Sequence, residues 1–515
     1  MRAWSVPVVF SAVVLAGWLG GAAAQDLDSS APPELLSAPI GQAENNENQP
    51  LGTIPQPTPD NPGLVTGFTL GELYTDNLRL AASGRPKESS WISVIQPFVK
   101  AAYSAPRFSG VVDYALNGYV YEGQANGTQL TQKLNALGTA VLVPQHFFLQ
   151  GTAIYGQEVI NNQLPAGGGT FFLDNNHANV GMATLSPYWT QDFGSFGTML
   201  LRYTRGRVVY SDRGIPNESN NLLAGIPDVT SNSVQFSLVS PKYETWGWNF
   251  GYTQQTLQSD AGPSSQFAIA KAGISRQVNP SFRLLADAGK ENRYLPDGTV
   301  NHLGVGFWDA GFQWAGTRDS FKLLLGHRFY GRSTQMSWTH DAALLTTTVR
   351  YDEQPTDINQ QLLSQNPGQI VVTPVGITLI PSLRERQVYL MKRASVMATY
   401  LMPKSRLSVN LYDESRTYFT LGNTHERVAN ADFSWLFNLG PFTTLTPEFG
   451  WQRYQFQDGQ INYRHYGQLA LVHQINPDNF GSIRLRNDSR SVYDAVPGGN
   501  GYRVDVIYVQ WTHLF

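Results

Sequence analysis

The chain has no cysteine, little charge, and only one long apolar run, at its N-terminus. Without cysteine there is no disulfide framework and no thiolate metal site. Charged residues make up 15% of the chain, against about 25% in soluble domains. The formal net charge of −3 leaves no basic footprint for nucleic acid. Past the N-terminus no apolar stretch approaches the ~20 residues of a spanning helix, which argues against insertion as helices. The nine histidines lack metal-ligand spacing, and no Gly-rich phosphate loop sits at a strand-to-helix junction, so neither a metal nor a cofactor is expected. His340 adjoins Asp341, but neighbours along a strand point to opposite faces and cannot act as a pair. The expectation is a protein that is not an enzyme, with an outer-membrane hydrolase as the weaker alternative.

What the chain does have is 48 Gly, 26 Phe, 24 Tyr and 12 Trp, at a mean hydropathy of −0.25. Strands that alternate lipid-facing with water-facing residues average to this composition. Arg2, an apolar run over 6–19 and Ala22 to Ala24 read as a signal peptide, residues 1–24, cleaved after Ala24. Residues 25–65 carry Pro32, Pro33, Pro39, Pro50, Pro55, Pro57, Pro59 and Pro62 around an Asn-rich centre. They read as a disordered periplasmic linker, a plain spacer rather than a binding arm. Residues 66–515 then carry a period of two. In 406–419, Leu407, Val409 and Leu411 fall on one face, and Arg406, Ser408, Asn410, Tyr412, Glu414 and Arg416 on the other. Segments 281–293, 321–332 and 480–490 divide the same way, each read as one strand.

Short turns are expected near Pro106, Pro144, Phe193, Pro241, Pro280, Arg318, Pro403, Pro441 and Pro477, most of them about 36 to 49 residues apart. One gap, from Arg318 to Pro403, is about twice that. A turn at Pro355-Thr356-Asp357, a long periplasmic connection over 352–368 and a strand over 369–380 are expected to fill it. The fold class is therefore all-β, a transmembrane antiparallel up-and-down barrel of about 22 strands, with 20 to 24 as the range. Longer polar segments at 161–176, 212–228, 259–265 and 494–501 fall out of phase with the tight turns. Since short turns face the periplasm, both termini are expected there. Phe98, Phe108, Phe147, Trp189, Phe193, Phe282, Phe442 and Phe480 lie beside turns and suggest an interfacial girdle.

The segment Glu72-Leu73-Tyr74-Thr75-Asp76-Asn77-Leu78 resembles the opening strand of the outer-membrane β-barrel porins associated with exosortase (PEP-CTERM) and exopolysaccharide systems of Gram-negative bacteria. Segments 137–149 with its turn at Pro144, 325–331 (LGHRFYG) and 484–493 are similar as well, so the likeness runs over most of the barrel. The sequence departs from that family at 346–352, which reads TTTVRYD where a Ser-Tyr-Ser-Glu run is usual. The resemblance implies the outer membrane, outer-membrane lipid as surroundings, and polysaccharide or its secretion apparatus as a partner. It carries over no catalytic residue.

The water-facing candidates are Arg283, Asp287, Glu291, Lys322, Arg328, Arg332, Arg406, Glu414, Arg416, Glu448, Arg484, Arg486, Asp488 and Arg490. In a lumen they would set selectivity; as a ladder of cross-strand ion pairs they would only solvate the wall. The interleaving of signs favours the ladder. Tyr330 and Tyr412 are candidate sugar-stacking rings. The final strand puts Val509, Trp511, His513 and Phe515 on one face, with Trp511 and the terminal Phe515 as a signal for the barrel-assembly machinery. Two functions fit: a porin-like channel or conduit linked to exopolysaccharide export, or a non-conducting docking component of surface polysaccharide machinery. An energy-coupled transporter of the TonB type fits poorly, because its plug would need well over a hundred residues before the first strand.

Overall fold

The computed structural model describes residues 57–515 except 124–126, 212–225, 242–244, 296–297, 365–382, 384–386, 420–423 and 494–500. The signal peptide, most of the linker and the strand expected over 369–380 lie outside the described residues. The strands are β1 (Gly63–Thr75), β2 (Ser90–Ala105), β3 (Phe108–Tyr121), β4 (Gly127–Val143), β5 (Phe147–Val159), β6 (His177–Asp192), β7 (Thr198–Ser211) and β8 (Val229–Val239). There follow β9 (Trp246–Ser259), β10 (Ser265–Asn279), β11 (Phe282–Tyr294), β12 (Val300–Ala315), β13 (Asp319–Arg328), β14 (Gly331–Asp341) and β15 (Leu345–Thr356). After the helix α1 (Ile358–Leu363) come β16 (Tyr389–Met402), β17 (Ser405–Tyr418), β18 (His425–Gly440), β19 (Thr443–Gln455), β20 (Ile461–Asn476), β21 (Asn479–Tyr493) and β22 (Tyr502–Leu514).

Each strand pairs antiparallel with the next, and β1 pairs with β22 from Gly67↔Leu514 to Thr75↔Val506, which closes a 22-stranded barrel. The Phe515 N–H donates to the Thr66 carbonyl at 2.9 Å, and the Thr69 and Thr512 hydroxyls meet at 2.9 Å inside the seam. Closure leaves no edge with unpaired backbone groups, the condition for a sheet to cross a bilayer. In β22, Tyr502, Val504, Val506, Tyr508, Gln510 and Thr512 are buried while Ile507, Val509 and Trp511 between them are exposed. The exposed apolar side chains recur around the outer face, among them Trp91, Leu185, Trp308, Phe449 and Ile483. A barrel with an oily exterior and a charged interior is built for lipid outside and water within.

All nine expected turns lie at one end of the barrel, where β1 begins and β22 ends; this is the near end, and the opposite one the far end. At five of them a proline opens a two-residue turn, as in Ala105↔Phe108, Asn279↔Phe282 and Met402↔Ser405. Proline cannot take the positive φ of the usual hairpin turns. In β10, β18 and β20 the register shifts just before the proline, and the added twist of a bulge lets this turn join the strands.

The missing tenth turn is Ala342 to Leu344, where Ala342 and Leu345 exchange backbone hydrogen bonds. Pro355 and Thr356 are instead the last residues of β15, paired with Leu390 and Tyr389 of β16. The connection after β15 therefore leaves the barrel at the far end, not at the near end where the sequence reading put it. β1 opens at Gly63, three residues ahead of the expected Thr66. The girdle is partly corrected too. Trp189, Phe193 and Phe442 are exposed, but Phe98 and Phe480 are 2% and 3% exposed on the inward face, where Phe98 packs with Val65 and Leu514.

Candidate functional site

Strand parity and pairing settle which way each candidate charge points. Arg484, Arg486, Asp488 and Arg490 occupy one buried face of β21. Arg464 of β20, directly opposite Arg490, grips Asp488 with two bonds, Nε at 3.1 Å and Nη2 at 2.7 Å. Arg486 reaches the same carboxylate at 3.2 Å. On β17, Glu414 lies between two arginines: Arg393 of β16 donates from Nε at 2.7 Å, and Arg416 from its own Nε. Arg393 Nη2 is a further 2.5 Å ion contact to Glu414, off the hydrogen-bonding direction. Tyr412 donates to Glu414 at 2.6 Å, so this ring is engaged in the wall.

A third cluster joins Arg328 to Glu291 at 2.9 Å and to Asp309 at 3.1 Å, with the Ser333 hydroxyl 3.1 Å from Asp309. Glu448 accepts from Gln468 at 3.1 Å, Asp287 from Asn249 at 3.2 Å, and Arg283 donates to Gln277 at 2.7 Å. Lys322 stands on the inward face of β13 opposite Gln313 and Ser337. Arg406 shares the face of Glu414 but lies at the near end and is exposed.

One candidate, Arg332, points the other way, and so does Arg293, which the period-two reading of 281–293 puts on the water-facing side. The segment read as one strand through Arg332 is two strands joined at Phe329-Tyr330, with Arg328↔Gly331 as the last pair and Gly331 at φ 109°. A two-residue turn reverses the parity, so Arg332, opposite His327, faces outward and is exposed. Arg293, in the 281–293 segment, is moved outward in the same manner by a register shift between Glu291 and Arg293.

The lumen is narrowed at the far end by two segments that fold into it. Residues 160–176, between β5 and β6, carry Phe171, Phe172 and Leu173 into an apolar cluster with Leu73, Ile92, Tyr119, Val504 and Tyr508 of the wall. The wall holds this segment by its backbone. Arg486 donates to the Gly168 carbonyl at 2.9 Å, and Arg490 to Gln163 at 2.7 Å, Asn162 at 3.2 Å and Leu164. Tyr502 donates to Ala166 and Tyr121 to Phe171, each at 2.8 Å. At its base Asp174 and His177 Nδ1 are 2.6 Å apart and buried, and Asp174 also accepts the Asn176 amide at 3.1 Å.

The second segment follows β15. Asp357 caps α1 through the Gln360 amide at 2.8 Å, and Ile358 and Leu362, one turn apart, both face the opposite wall. They pack with Val180, Val208, Val229 and Leu257, and Tyr210 of β7 donates to Asn359 at 2.8 Å.

Of the residues that shape this constriction, the sequence reading found Arg486, Asp488, Arg490, Glu414 and Arg416. It missed Arg393, Arg464, Asp174 and His177, and α1. A signal was present: a run of three glycines followed by Phe171-Phe172-Leu173 is too apolar for a solvated loop, and Asp357 ahead of Ile358 and Leu362 is a capped helical turn.

No protein-family profile matches this chain, and no curated protein matches its sequence. Solved structures similar to it include the FrpB iron transporter of Neisseria meningitidis (F5-1 variant; TM-score 0.47, 10% identity, 88% of this chain and 82% of that one). A mutant of the ferric enterobactin receptor PfeA of Pseudomonas aeruginosa gives 0.45 at 10% identity, covering 90% and 81%. The siderophore receptor PirA of the same species gives 0.42 at 9% identity, covering 88% and 80%. Likenesses this distant carry no information on cargo.

Proposed function

We propose that this protein is an outer-membrane conduit for polar solutes, with its near end in the periplasm and its far end outside. The cargo is a sugar polymer or its fragments, as the sequence resemblance implies. The observation that carries the proposal is the infolded 160–176 segment, tied to the wall by Arg486, Arg490, Tyr121 and Tyr502. A barrel of 22 strands is wide, and a segment anchored inside it supports a selective passage. In this reading the inward charges are mainly wall structure: Glu414, Asp488 and Glu291 are each shared with arginines across the strands.

The same infolding also favours a second reading, a shut barrel that serves as a docking component. Planar-bilayer recording of the refolded chain separates the two. The conduit gives discrete conductance steps; silence at every voltage, with the barrel intact by gel mobility, overturns it.

A further inference from the structure

A cleft lies between the infolded segment and the wall formed by β19 to β22. Its wall side presents Gln452, Tyr454, Asn462, Arg464, Arg490 and Tyr502, its loop side Asn162, Leu164 and Ala166, and Val159 at the end of β5 completes the lining. The cleft opens to solvent, and with its open mouth counted it encloses about 430 Å³.

Its charges do not balance. Arg464 and Arg486 share the carboxylate of Asp488, and Arg490 stands directly across the strand pair from Arg464. Arg490, 8% exposed, has no carboxylate within ion-pair distance among the described residues; backbone carbonyls alone face its guanidinium. Carbonyl dipoles carry only partial charge, so a buried guanidinium held this way retains attraction for an anion. The neighbouring acids do not offset it. Glu426 is engaged by Tyr454 at 2.9 Å and lies 3.6 Å from Arg416, and Asp458 at the rim is bound by Gln163 at 3.0 Å. The remaining lining is suited to hydroxyls: two amides and two phenols on the wall side face Asn162, Leu164 and Ala166 across the cleft.

We infer that this cleft is a binding subsite for an acidic sugar unit, its carboxylate drawn by the excess positive charge around Asp488 and its hydroxyls met by Gln452, Asn462 and Tyr454. The inference rests on the conduit reading and narrows its cargo to anionic saccharide.

The test is titration of the full refolded chain in micelles with trigalacturonate, maltotriose and citrate, alongside bilayer recording. Trigalacturonate binds, its affinity falls as salt is raised, and maltotriose and citrate bind at least about tenfold more weakly. Gln452→Glu, which places a like charge directly across the strand pair from Arg464 and offsets the positive excess, weakens trigalacturonate by about tenfold or more, as does Arg490→Gln. Equal binding of maltotriose overturns the acidic class, and equal binding of citrate overturns the sugar. An unchanged affinity in Gln452→Glu overturns the location. No binding by a conducting barrel overturns the subsite and leaves the conduit standing; binding by a silent barrel does the reverse.

Discussion

Glu414→Ala is the sharpest single test of the charged wall. Glu414 is fully buried and, among the described residues, is the sole carboxylate in ion-pair contact with Arg393, which otherwise stacks 4.9 Å from the Tyr412 ring. Removing one partner of a buried pair typically costs about 3 to 5 kcal/mol, because an uncompensated charge stays behind. Arg416 keeps a second acid, Glu426 at 3.6 Å, so only one guanidinium is stranded and the loss belongs at the lower end, ~3 kcal/mol. That is about two powers of ten in the folded-to-unfolded ratio. Urea titration of the refolded barrel in micelles, followed by tryptophan fluorescence, reads it as a lowered midpoint. Asp413→Asn on the opposite face is the control. Its pair with Arg427 is 45% and 57% exposed, and such a pair is worth at most about 1 kcal/mol. If Glu414→Ala destabilises no more than Asp413→Asn, the interior charges are solvated and the account of the wall is wrong.

Two further substitutions test closure and register. Phe515→Asp removes the ring that packs 5.7 Å from Phe68 and 5.1 Å from His513 and puts a charge on the lipid face; the heat-modifiable species in the outer membrane should fall sharply, and an unchanged amount refutes the assembly role. Gly331→Val forces a β-branched residue to φ 109° and should cost about 1 to 3 kcal/mol, whereas an unshifted urea midpoint would mean the β13–β14 turn is not as described.

Much of the barrel was legible because its signals are local. Alternation in β17 and β22 gives the face of each residue, and proline turns such as Pro106 and Pro403 mark one end. The failures are just as physical. Ala342 to Leu344 turn the chain without a turn residue, whereas Pro355-Thr356-Asp357 look like a turn but end a strand. A register shift between Glu291 and Arg293 and a two-residue turn at Phe329-Tyr330 each invert parity, which no period-two reading carries across, so Arg293 and Arg332 were put on the wrong face. For the candidate site, parity gave the inward position of Arg486, Asp488 and Arg490 but not their partners. Those depend on how β20 aligns with β21 and on a segment more than 300 residues earlier in the chain.

The conduit account turns on whether residues 160–176 restrict the passage. Single-channel recording of the wild-type chain beside a variant in which 162–173 are replaced by a short Gly-Ser link tests this most directly. The account predicts that both form intact barrels and that the variant conducts severalfold more, with weaker ion selectivity. Equal conductance from the two would contradict it.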